Sequence, residues 1–233
     1  MIGVYVNFFA VVVGGIVGTL IRGGIPEKYK SAITKGIALC ILVIGVSGAI
    51  VTRDQLMMIV CVVIGTALGE LIGIESGIER LGSYAEKRFS GGNGFAEGFV
   101  NATLLFAVGS MAVVGSLDAG LTGDSGTLLA KSALDGVSAV MFASTFGAGV
   151  ILSAVPLTLY QGGIALLAVW IQPYLGEDVI LEMKAIGSVL IIALGFNMLL
   201  DVRGGKIRVA NMLPAMFLPI AYIPLQNWIA SLL

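Results

Sequence analysis

The sequence predicts an all-α polytopic membrane protein of about eight transmembrane helices. Three observations carry this. First, 58% of its 233 residues are hydrophobic and only 12% charged, with a mean hydropathy of +1.02. Soluble domains run at about 45–50% and about 25%, so a water-soluble fold of this size has too little polar surface to cover its core. Second, the apolar residues fall into runs near the roughly 20 residues that cross a bilayer as helix. These runs lie near 2–21, 36–51, 56–74, 99–117, 137–155, 157–175, 185–200 and 212–231. Third, the charges gather between the runs. Residues 1–233 therefore read as one transmembrane domain.

Composition also excludes functions. The formal net charge of −1 argues against nucleic acid as a partner. There is no histidine, which removes imidazole metal ligands and the commonest general base. Cys40 and Cys61 stand in separate apolar runs and form no CxxC pair, so they read as small apolar fillers. No metal site, cofactor or catalytic residue is expected, and the chain reads as a non-enzyme.

The first run, 2–21, carries Asn7, Gly14 and Gly18. Glycines four apart on a membrane helix let another backbone approach closely. The second run contains Gly45-Val46-Ser47-Gly48, the GxSG pattern of intramembrane serine proteases. A nucleophilic serine needs a base, and with no histidine and with Lys131 read as an unburied outer-end residue, the match fails. The third run holds Gly65, Gly69, Gly73 and Gly77 at every fourth position, interrupted by Glu70. This series reads as a packing or dimerisation face. From Glu75 to Phe89 apolar residues recur at helical spacing among charges, predicting an amphipathic helix on the cytoplasmic surface. Ser90 to Gly94 reads as a flexible joint.

The fourth run carries Asn101, and 118–126 reads as a loop. From Gly136 to Gly176 follow 41 residues without Asp, Glu, Lys or Arg, about 60 Å of helix or two crossings. Hydroxyls and helix breakers recur through it. At membrane depth such groups face protein or a wet cavity. Pro156 or Gly162-Gly163 would mark the turn between the two crossings; a broken or re-entrant helix is the alternative. Asn197 lies in the seventh run, and Pro214, Pro219 and Pro224 predict a kinked last span.

With the N-terminus outside, ten Lys and Arg fall in inner segments and three, Arg53, Lys131 and Lys184, in outer ones. This positive-inside bias predicts both termini outside. The chain also looks repeated. Gly36 precedes Gly136 by 100 residues, the third and sixth runs keep nearly that offset, and Val6-Asn7 matches Val100-Asn101. Residues 1–95 and 96–176 would then be two three-helix copies, inverted in the membrane, followed by a helix pair at 185–233. Inverted repeats typify secondary transporters, with the site where the repeats meet. Arg22-Gly23-Gly24 and Arg203-Gly204-Gly205 also match and read as turns touching lipid phosphate.

At 100° per residue, Asp135, Ser138, Thr145, Gly149 and Ser153 share one stripe of the fifth run. Together with Asn7, Asn101, Gly147, Tyr160 and Gln161 they form the expected solute or ion pathway, with Asp135 as its outer gate. Close helix packing is the competing explanation of the same small residues.

Asp135-Gly136, Ser138, Gly147-x-Gly149, Ser153, Pro156 and Tyr160-Gln161-Gly162 resemble the central motif of domain-of-unknown-function family 554. Gly3, Asn7, Gly14 and Gly18 resemble that family's first helix, and the likeness covers essentially the whole chain. The resemblance implies a multipass protein of the bacterial inner membrane, in a family taken to be transporters, and names no substrate. The expectation is a secondary transporter or channel-like permease for a small neutral, zwitterionic or cationic solute. A strongly anionic one is disfavoured because no Lys or Arg is read inside a span. Expected partners are that solute or ion, membrane lipids and a second copy of the chain as a homodimer. The alternative is a non-transporting scaffold that uses the glycine faces; an intramembrane enzyme ranks third.

Overall fold

A computed structural model describes residues 1–24, 26–89, 94–108, 110–200 and 206–231. The joint at 90–93 and the Arg203-Gly204-Gly205 turn lie outside the described residues. Among those described, every regular element is helical. The chain is a polytopic all-α protein.

The first helix, α1 (Ile2–Arg22), shows how sequence sets packing. Val4, Asn7, Val11, Gly14 and Gly18 are buried at three- and four-residue spacing, while Tyr5, Phe9, Val13, Ile16 and Leu20 stay exposed. The buried stripe meets α7 (Gly126–Phe146). A Cβ on Gly14 would stand 2.3 Å from the Gly136 carbonyl oxygen, and one on Gly18 would stand 2.3 Å from that of Val140. Gly3 lies against Leu128 and Arg22 against Phe146, so the two helices run parallel.

The helix α2 (Glu27–Ala49) runs antiparallel to α11 (Glu177–Leu199). Gly45 and Gly48 close on Ser188, and Gly195 closes on Leu42. With 67% of its apolar window buried, α11 is the hub of the molecule, a place the sequence suggested for 136–176. The helix α3 (Gln55–Ile72) starts where Asp54 accepts the Met57 N–H at 2.9 Å. It ends where Gly73 takes the left-handed φ of 74°, a conformation that favours glycine. Gly65 and Gly69 receive the backbone of Ala215 and Asn211, in the 3-10 turn Val209–Met212 and α12 (Leu213–Phe217). A Cβ on Gly73 or Gly77 would meet nothing within 4 Å. The four-glycine face is therefore two packing glycines, a helix stop and one open position. The packing glycines, Gly14, Gly18, Gly65 and Gly69, are used inside one chain.

The expected surface helix is present as α4 (Ile74–Phe89), docked by its first turn on the 3-10 turn. The fourth run is split. Its halves α5 (Phe95–Ala107) and α6 (Ser110–Leu121) meet at 63°. The central stretch departs most from expectation. Its turn lies neither at Pro156 nor at Gly162-Gly163 but at Gly147, where φ is 87° and α7 stops. Then come α8 (Gly149–Leu152), α9 (Ala154–Leu166) and α10 (Ala168–Ile171). Pro156 sits in the first turn of α9, where its missing N–H removes no helical bond. Finally α12 and α13 (Pro219–Ala230) bend by 40° at Leu218–Pro219, as the prolines predict.

Among the described residues, five helices are long and apolar enough to cross a membrane, or seven spans if each bent pair counts as one. This is fewer than the eight expected; α7, 21 residues long but carrying Lys131 and Asp135, falls outside that count. Packing directions alternate throughout. Met1, Asp54, Ser125 and Gln226 end on one face, where Gln226 donates to Asp54 at 3.3 Å. On the other face lie α4, the Arg22–Phe146 contact and the segment 206–212.

Candidate functional site

Near the middle of α7, Asp135 and Lys131 lie one turn apart on the same face and form an ion pair, each only 6% exposed. Asp135 Oδ2 takes both described bonds, from Lys131 Nζ and from Asn7 Nδ2 at 3.0 Å. Asn7 Nδ2 also donates to Gln161 Oε1 at 3.1 Å, joining α1, α7 and α9. Asn7 and Gln161 are wholly buried, yet Asn7 Oδ1 and Gln161 Nε2 have no protein partner. The Tyr160 hydroxyl is likewise buried without one. A buried amide left unpaired costs about 1–3 kcal/mol, a cost that helix packing alone does not require.

Lys131 and Asp135 also line a recess of about 550 Å³. Its other walls are Val43 and Ser47 of α2, Leu105 and Val108 at the end of α5, Met111 and Ala112 of α6, and Lys184 and Ser188 of α11. The recess thus opens where α5 and α6 part. The second helix break stands close by. A Cβ on Gly187 of α11 would lie 3.0 Å from Val108 and 3.2 Å from the Met216 sulfur.

Of the expected pathway residues, the fold joins Asn7, Asp135 and Gln161. It corrects the rest. Asp135 is no outer gate, because α7 begins nine residues earlier, at Gly126, and carries it to mid-helix. Lys131, in the second turn of that helix, is buried rather than unburied as expected, and Lys184 falls within the candidate span Glu177–Leu199, so the spans are not free of Lys. The stripe breaks up because α7 stops before Gly149 and Ser153. The Ser153 hydroxyl donates to Val150 O at 2.6 Å and that of Thr145 to Met141 O at 3.4 Å, both local backbone bonds. Ser138 is half-buried on α7. Gly147 lies against the Arg22 guanidinium, whose Nη1 donates to Phe146 O at 3.2 Å. Gly149 packs on the Phe95 carbonyl. Asn101 does not meet Asn7; it lines a separate cavity of about 250 Å³ beside Glu75, Glu79, Glu97, Asn197 and Lys206.

That second cavity is closed by the segment 206–212. Lys206 pairs with Glu97 at 2.7 Å and Arg208 with Glu70 at 2.9 Å. Asn197 bonds Ile207 through both its amide oxygen, 2.9 Å, and nitrogen, 2.7 Å. Glu75 accepts the Ala210 N–H at 2.7 Å while Asn211 Oδ1 accepts the Glu75 N–H at 2.7 Å. Burial pushes the Glu75 carboxyl above its usual range, and the Ala210 N–H offsets part of this.

The missed member, Lys131, had a sequence signal. A Lys and an Asp four apart are neighbours on a helix, whereas the hydropathy run made them look like its flank.

Comparison with known proteins agrees with this architecture. The chain is 30% identical over 223 residues to the uncharacterized membrane protein YdfK of Bacillus subtilis (strain 168), covering 94% of each chain. It is 29% identical over 225 residues to the uncharacterized protein YqgA of Escherichia coli (strain K12), again covering 94% of each. No solved structure matches. The model of the family described as "Protein of unknown function (DUF554)" matches residues 2–223, and the chain belongs to that family.

Proposed function

We propose that this protein is a secondary transporter or channel-like permease for a small solute. It crosses the bacterial inner membrane eight times, with α7 as the crossing that hydropathy undercounts. The charge bias puts both termini outside and α4 in the cytoplasm. One observation carries the reading: a recess holding a buried ion pair opens between helices beside two helix breaks. Buried charges and interrupted helices inside a membrane protein are costly, and they mark solute and ion pathways. The scaffold reading needs free glycine faces, and the packing glycines are taken up within the chain.

The test is a thermal-shift screen of the purified full chain against small metabolites and ions. A ligand of the recess raises the melting temperature. Asp135→Asn weakens its binding by about tenfold or more, the worth of one buried polar partner. Ser153→Ala leaves it unchanged. A hit that survives Asp135→Asn undiminished contradicts the assignment, as does a broad screen with no hit.

A further inference from the structure

We infer that the solute taken by the α2–α5–α6–α7–α11 recess is a small organic monocarboxylate; this rests on the transport reading and sharpens it. The lining carries two ammonium groups, Lys131 and Lys184, against one carboxylate, Asp135. Lys184 forms no ion pair among the described residues, and Asp135 is already paired to Lys131. The recess therefore has one positive charge in excess. A guest of charge −1 complements it, while a cation adds to it and a neutral solute leaves it unchanged.

Geometry adds to the charge count. The first turn of α6, Met111 and Ala112, borders the recess. A helix start carries positive partial charge and free N–H groups, which favour a carboxylate. Lys131 Nζ has three donors and Asp135 Oδ2 occupies one of them. A guest carboxylate can take a second of them without displacing Asp135. The remaining walls, among them Val43, Leu105 and Ile191, are apolar, which suits a short hydrocarbon tail rather than a second charge. A zwitterion would satisfy the lysines but bring its own cation and restore the excess charge.

The experiment uses the full chain in detergent at matched ionic strength. The probes are the sodium salts of acetate, propionate and butyrate, with sodium chloride, alanine and propylammonium chloride for comparison. Stabilisation by the carboxylates, weakened about tenfold by Lys184→Gln and lost in Lys131→Met, supports the inference. Where Lys131→Met fails to fold, the exposed Lys184→Gln carries the test alone. Chloride matching the carboxylates overturns the inference, because the site then reads charge only. Stabilisation by alanine or propylammonium without the carboxylates also overturns it, yet leaves the transport site standing if Asp135→Asn removes the effect. No shift from these probes or from the broad metabolite screen brings down both.

Discussion

Asp135 holds two partners, Lys131 and Asn7, on one oxygen. Asn7, Asp135 and Gln161 were legible in the sequence because polar side chains in apolar runs must find partners at membrane depth. Lys131 was not, because hydropathy averages a charge and its counter-charge as two polar residues, while the helix brings them together as one neutral pair. Breaking a buried pair by taking one partner strands the other. We expect Lys131→Met to destabilise the protein by about 3–5 kcal/mol and Lys131→Met with Asp135→Leu to recover most of it. Thermal unfolding in detergent measures both. A double variant no better than the single one would mean that the pair is not isolated from the Asn7–Gln161 amides.

The helices show where periodicity succeeds and where it stops. The surface helix α4 and the bend at Pro219 follow from the residues themselves. The turn at Gly147 does not, since three candidate breakers lie within sixteen residues and only the packing of α8 on α5 selects among them. The glycine series is similar: its spacing is uniform, but its members meet different surroundings. A Cβ at Gly69 would stand 1.8 Å from the Asn211 oxygen, so Gly69→Ala should cost about 1–3 kcal/mol or more. Gly77 has open space in a helix interior, so Gly77→Ala should stabilise by about 0.5–1 kcal/mol. Equal effects from the two would mean that the contact of α3 with the 3-10 turn Val209–Met212 is misassigned. The docking of α4 should also respond to pH. Its folded carboxyl, Glu75, lies above the unfolded value, so folding favours the protonated form. The wild type should therefore gain stability relative to Glu75→Gln as pH falls from neutral, and lose that gain as pH rises through the folded pKa. Parallel melting curves across the acidic range test the sign.

At the scale of the molecule, alternating packing directions place Met1 and Gln226 on one face and α4 on the other. Asn7 and Asn101, expected to border one site, stand apart: Asn7 bonds Asp135 and Gln161, while Asn101 lines the cavity beside the 206–212 segment. The central claim is that the recess at the buried pair, not the hydroxyl stripe, is where solute meets the protein. Thiol labelling tests this most directly. In a background with Cys40 and Cys61 replaced, Ser188→Cys should react with a small water-soluble methanethiosulfonate in intact membranes and be protected by a bound ligand. Ser153→Cys, wholly buried and outside the recess lining, should stay unreactive. Reaction at Ser153→Cys with Ser188→Cys inert would contradict the account.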